Sequence, residues 1–210
     1  MLARRATSIL RNFARIQPVC KMSESTLINA KDDVNKRIIW IDCEMTGIGD
    51  AQKQTLVEIA TIVTDSELNT IAVGPDIVIN QPKEVLDNME EWPRNTFLQN
   101  GLMQKILDSK ISLKQAEDQV IEFLRHHAVE GKAPIAGNSI HMDRLFLHIH
   151  MPRLNNYAHY RCIDVSSVKG IVQRWYPDSK EFEKKKSHRA LDDILESIDE
   201  LKYLRTNFFK

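Results

Sequence analysis

Ile38-Ile39-Trp40-Ile41-Asp42-Cys43-Glu44 is a nearly unbroken apolar run, rich in β-branched residues, that ends in two acids. Such a run reads as a strand buried on both faces. Side chains alternate along a strand, so Asp42 and Glu44 leave one face and Cys43 the other. Working outward, residues 56–63 and 71–79 read as two further strands. The short polar connections, including Thr64-Asp65-Ser66-Glu67 and Leu68-Asn69, suit an antiparallel meander. Gly74-Pro75 inside the third run implies a bulge or an edge position. Helical spacing then takes over at Ala116, Val120, Phe123, Leu124 and His127, with Ser112 as the expected N-cap. Residues 134–137 form a candidate fourth strand followed by a helix over 142–150. Residues 161–164 form a fifth, and Ser166 is expected to cap a helix running to about residue 175. Residues 177–187 read as a polar, Lys-rich loop, and Leu191, Ile194, Leu195, Ile198 and Leu201 mark a final amphipathic helix. Three strands followed by alternating helix and strand imply an α/β fold with a mixed sheet of five strands flanked by helices.

The chain has 210 residues, which suits one domain with short extensions. Lys plus Arg and Asp plus Glu are 29 each, a balance that argues against a protein built to grip long nucleic acid by charge. No apolar run reaches the roughly 18 residues of a membrane span. Cys20, Cys43 and Cys162 are scattered and offer neither a CxxC zinc pattern nor a disulfide framework, as expected of a reducing compartment. The overall balance hides an asymmetry. Residues 1–23 carry Arg4, Arg5, Arg11, Arg15 and Lys21 without an acid, so the remainder holds 24 basic and 29 acidic residues, a net charge of −5. Leu2, Ile9, Phe13 and Ile16 fall on one helical side and Arg4, Arg11 and Arg15 on the other. That is the composition of a mitochondrial transit peptide over residues 1–23, with a disordered basic tail as the alternative. Residues 24–37 read as a polar linker, and Met22 offers a start for a shorter, untargeted form.

Two acids at the end of an apolar strand are costly to bury without a cation, and a hard divalent metal is the natural compensator. An EF-hand beginning at Asp42 fails, because its twelfth position is Lys53 rather than Glu. Asp143 follows the fourth strand where a helix begins; alone it would read as an acid set against a helix dipole. His188 and Asp192 stand four apart and share a face if both are helical. Asp193 sits about 100° further round and is expected to be solvated. Four converging carboxylates would repel one another unless two divalent ions intervened, and two such ions create the geometry for in-line displacement at phosphorus. A histidine at position 188 suits general-base work, since imidazole is the side chain whose ordinary range spans neutral pH.

Several stretches occur in order: Trp40-Ile41-Asp42-Cys43-Glu44-Met45-Thr46-Gly47, Gly137-Asn138-Ser139, Tyr160-Arg161-Cys162-Ile163-Asp164-Val165-Ser166, Arg174-Trp175-Tyr176-Pro177 and Ser187-His188-Arg189-Ala190-Leu191-Asp192-Asp193. With them, residues 38–210 resemble an oligoribonuclease, the small-RNA branch of the DEDDh 3′→5′ exonucleases. The resemblance implies a ribonuclease H-like fold over that exonuclease domain. It implies that Asp42, Glu44, Asp143 and Asp192 hold two Mg2+ or Mn2+ ions and that His188 activates water. It further implies that Ile48 wedges against bases, that Trp92 stacks on a base, and that Ser139, Arg161 and Ser166 cap the 5′ phosphate of a very short RNA. From the residues alone, Trp92 is equally well a core side chain. A homodimer in which Tyr160 and Arg161 reach the partner's site is also implied. The chain departs from the family at Ile48 (usually Leu), Phe97 (commonly His) and Met142 (usually polar). Lys184, Lys185 and Lys186 read as part of a solvated loop that places His188 once substrate binds, with a nuclear signal or an RNA contact as alternatives. The competing functions are another DEDDh exonuclease acting on DNA, and a non-enzymatic nucleic-acid-binding protein in which the site has been retired.

Overall fold

In the computed structural model the central strand is β1 (Ile38–Met45), which pairs antiparallel with β2 (Leu56–Thr64) and parallel with β4 (Pro134–Gly137). The structure describes residues 33–184 and 188–209. The N-terminal amphipathic segment, most of the linker, and Lys185 and Lys186 lie outside the described residues. β3 (Thr70–Val78) pairs with β2 and β5 (His159–Asp164) with β4, so the sheet order is β3-β2-β1-β4-β5. The expected meander and mixed five-stranded sheet are both present. Gly74-Pro75 accounts for both readings offered for it. β3 is an edge strand, and its register slips between the Ala60↔Asp76 and Ile62↔Val73 pairs.

The alternation along β1 sorts the helices. Ile39, Ile41 and Cys43 face α4 (Leu113–His127), α5 (Ile140–His150) and α6 (Pro152–Tyr157), packing with Val120, Leu124, Phe146, Leu147 and Leu154. Ile38 and Trp40 face α7 (Val165–Trp175) and α8 (Ala190–Phe208), packing with Val172, Ile194 and Ile198. The Trp40 indole N–H donates to Thr64 Oγ1 at 3.0 Å, so the largest buried ring leaves no polar atom unpaired. A third, smaller core joins Val57 to α1 (Lys83–Asp87), α2 (Glu91–Gln99) and α3 (Leu102–Asp108).

Two caps refine the helix starts. Ser112 begins α4 in a capping box with Gln115, as expected. Ser166 does not cap α7. Asp164, two residues earlier, accepts from the amides of Ser166 and Ser167, because its carboxylate reaches them from an extended backbone. The last part of the linker is ordered, with a 3-10 turn over Val34–Lys36 and an Arg37 guanidinium that donates to the His127 carbonyl at 2.8 Å.

Phe97, the departure from the family pattern, is fully buried among Val57, Leu86, Leu102 and Ile106 and is a packing residue of the third core. Phe97→Ala should therefore lower the unfolding free energy by roughly 3–5 kcal/mol, read as a shifted midpoint in urea.

Candidate active site

The face of β1 that carries Ile38 and Trp40 continues as Asp42 and Glu44 beyond the cover of α8. Glu58 of β2 lies directly opposite Glu44 in the antiparallel register. The α8 helix delivers Asp193 to this strand end. Carboxylate oxygens of Asp42, Glu44 and Asp193 all lie within 4.8 Å of one another. Asp143 enters from α5, over the end of the sheet. The pairing of β1 with β4 reaches only Trp40↔Ala136, and the Cys43 amide beyond it donates to Asp143 Oδ1 at 3.0 Å.

The acid that α8 brings to the cluster is thus Asp193 and not Asp192, which is exposed, outside the converging group, and felt by Arg189, Asp76 and Asp193. Four-residue spacing from His188 misleads because His188 is not helical. Its φ is +51°, Arg189 is the extended N-cap, and helical geometry starts at Ala190. A left-handed backbone costs a residue with a β-carbon roughly 1–2 kcal/mol, so neighbours must hold His188 in place. The Asn100 side-chain amide donates to its carbonyl at 2.9 Å, and its ring meets Trp92 edge-to-face at 5.4 Å.

Burial first, then the neighbouring Asp143 and Glu44, push the Asp42 carboxyl well above the usual range. Burial and Glu58 raise Glu44 to about 8, partly opposed by Arg189. Burial lifts Asp143 to about 7 against the Cys43 amide, and burial raises Asp193 against the pull of His188. An oxygen-only donor set whose members hold protons this tightly fits one or more hard divalent cations, whose charge offsets both the desolvation and the repulsion.

Trp92 and Ile48 are not core residues; each is 63% exposed. Together with Glu44, Met45 and Pro93 they line a cavity of about 270 Å³. Glu90 ties its two walls. Its carboxylate accepts from the Ile48 amide at 3.3 Å and the Gly49 amide at 2.9 Å, and its own amide donates to the Thr46 carbonyl just ahead of α2, which carries Trp92. Gly47 leaves room for that carboxylate, since a β-carbon there would collide with Glu90 Cδ.

Ser139 and Ser166 come together, with hydroxyl oxygens 3.3 Å apart. The donor chain continues from Ser166 to Asn138 (2.9 Å), from Asn138 to Ser197 (2.7 Å) and from Ser197 to the Asp193 carbonyl (2.7 Å). Asp164 already occupies the amides of Ser139 and Ser166, so this corner offers an anion its hydroxyls rather than a free helix N-terminus. Arg161 lies apart on the outer strand β5, its guanidinium 5.4 Å from the ring centre of Tyr160, which is 72% exposed. Lys184 is not solvated. Its Nζ sits 2.8 Å from the buried carboxylate of Glu200. Glu58, Glu90, Asn100 and Arg189 were not expected from the sequence, although an acid inside the apolar run Leu56-Val57-Glu58-Ile59-Ala60 was a readable signal for Glu58.

The folded carboxylates hold protons that the unfolded chain releases near pH 4, so metal-free stability is full below that range. It is lost as pH rises through about 7 and 8, the values for Asp143 and Glu44. The Tm of EDTA-treated protein should accordingly fall from pH 5 to pH 8.5, and added Mg2+ should raise Tm more at pH 8.5 than at pH 5. Mn2+ titrated calorimetrically into variants should bind roughly tenfold or more weakly to Asp193→Asn, which removes ligand charge, and near-normally to Asp192→Asn.

The exonuclease family RNase T matches residues 39–201. A probable oligoribonuclease of Caenorhabditis elegans is 68% identical over 185 residues, covering 88% of this chain and 95% of that one. The mitochondrial oligoribonuclease of Homo sapiens is 46% identical over 183 residues, 86% of this chain and 77% of that one. The fold is also similar to E. coli exonuclease I in a zinc-bound complex with single-stranded DNA, with a TM-score of 0.65 at 16% identity over 82% of this chain and 41% of that one. At that identity the likeness bears on the fold alone. Sequence kinship across most of the chain, joined to a strand-end acid cluster beside a histidine, places this protein in the oligoribonuclease family of exonucleases.

Proposed function

We propose that the chain is a 3′→5′ exoribonuclease that hydrolyses very short RNA, dinucleotides above all, to 5′-mononucleotides. The observation that carries this reading is the meeting of Asp42, Glu44 and Asp193 within 4.8 Å beside a cavity walled by exposed Trp92 and Ile48. Two Mg2+ or Mn2+ ions held by these acids and Asp143 would supply the positive charge that orients the scissile phosphate and steadies the departing oxygen. His188 takes a proton at a ring nitrogen from the attacking water as its oxygen bonds to phosphorus. The bond to the 3′ oxygen of the preceding nucleotide breaks, and that oxygen leaves with a proton from solvent. Trp92 offers a ring face to a base and Ile48 an apolar edge, contacts that tolerate any base.

Ser139 and Ser166, with hydroxyls already together, receive the 5′ phosphate, and Arg161 adds a charge-assisted contact. Arg161 and Tyr160 stand on the outer edge of β5, which suits a homodimer in which each copy lends them to the other's site. A mitochondrial location is supported by the acid-free basic N-terminus together with the mitochondrial naming of the human relative. The start at Met22 would provide a form outside mitochondria. No helix among the described residues is long and apolar enough to cross a membrane.

End capping makes length the deciding test. With 5′-labelled RNAs of two to twenty nucleotides and Mg2+, kcat/KM for a dinucleotide should exceed that for a 20-mer at least tenfold, a gap of about 1.4 kcal/mol. The matching DNA dinucleotide should be cut more slowly, and equal rates on dinucleotide and 20-mer would refute the capping argument.

A further inference from the structure

Glu58 is fully buried near the start of β2, opposite Glu44, where its charge burdens the acid cluster. A buried carboxylate beside other carboxylates is retained only if something pairs with it. Here the partner is Arg189. Its Nε lies 3.1 Å from both carboxylate oxygens and its Nη2 2.6 Å from Oε1, while the Ala190 amide donates to Oε2 at 3.3 Å. Every donor in this fork comes from the two residues that follow His188. The pair therefore joins the inner wall of the site to the N-terminus of α8, one peptide bond from His188. On the other side, Asn100 holds the His188 carbonyl.

We infer that Glu58 is a positioning residue for His188: through its fork with Arg189 it holds the left-handed His188 backbone so that the ring stands beside Trp92 and the acid cluster. The inference rests on the reading of His188 as the group that takes the proton from water. Both carboxylate oxygens of Glu58 are taken by Arg189 and the Ala190 amide, so it acts through Arg189. Fixing a catalytic group to within a fraction of an ångström changes turnover more than binding, because the gain is realised as the water attacks.

Single-turnover hydrolysis of a dinucleotide in Mg2+ separates the possibilities when Glu58→Gln is made in the parent and in His188→Ala. Glu58→Gln should lower the single-turnover rate constant 10- to 100-fold in the parent, with the half-saturating enzyme concentration within twofold. In the His188→Ala background the same change should cost less than twofold, because the group it positions is gone. An equal loss in both backgrounds, or no loss in the parent, would overturn the inference. A His188→Ala rate equal to the parent's would overturn the reading of His188 itself, and the inference with it. If Glu58→Gln does not yield folded protein, Arg189→Lys carries the same comparison, since lysine keeps the charge pair and loses the planar fork.

Discussion

The desolvation of four carboxylates gathered at one strand end is the constraint on which the rest of this molecule depends. Asp42, Glu44 and Asp193 converge at the end of β1, Asp143 is tied to the neighbouring Cys43 amide, and each is held above its ordinary pKa chiefly by desolvation. Left alone they would take up protons or splay apart. What prevents splaying is the rigidity of their carriers. Asp42 and Glu44 are held in register by β2, Asp193 belongs to the first turn of a 19-residue helix packed on that strand, and Asp143 is tied to the Cys43 amide. The three cores supply the burial that lets the fold hold its acids in a ring suited to cations and ill suited to itself.

The same constraint explains the polar architecture one layer out. Glu58 adds a further negative charge to the cluster, yet it is the anchor for Arg189, whose guanidinium in turn eases Glu44. Glu200 plays a comparable part further along α8, where its buried carboxylate receives Lys169 at 3.3 Å and Lys184 at 2.8 Å. Thus the described residues on either side of His188 are each fastened to a buried acid. Removing one member of such a pair strands the other charge in a dry interior, which makes these positions intolerant of substitution for physical reasons separate from chemistry.

Much of the fold could be read from periodicity, because β1 and β2 are apolar runs joined by polar connections, and α4 carries a clear apolar stripe. The acids of β1 were legible for the same reason: a strand fixes which side chains share a face. The failures fall where the backbone is irregular. Asp193 was displaced by Asp192 because helical spacing was counted from His188, a residue whose φ of +51° no pattern of side chains discloses. Ser166 was taken for a cap that Asp164 provides, since both are competent N-caps and only the strand end decides between them. Trp92 was undecidable from composition. Its exposure follows from Pro93 and Phe97 taking the buried side of α2, which leaves Trp92 to face His188. Partners distant in sequence, such as Glu58 with Arg189, are separated by 131 positions and become visible only once the sheet register is known.

Electrostatics also bears on what kind of RNA suits the site. The body beyond the N-terminal segment carries a net charge of −5, and its recessed center is anionic. A long polyanion gains affinity by releasing counterions from a basic track, and that gain grows with the number of phosphates neutralised. Here the exposed contacts on offer are an aromatic face at Trp92, an apolar edge at Ile48 and a pair of serine hydroxyls, all of which are saturated by very few nucleotides. Beyond those contacts a longer chain adds phosphates to a body with more acids than bases, where fewer counterions are released. Contacts of this kind suit a short oligonucleotide better than a long one, in keeping with the oligoribonuclease relatives.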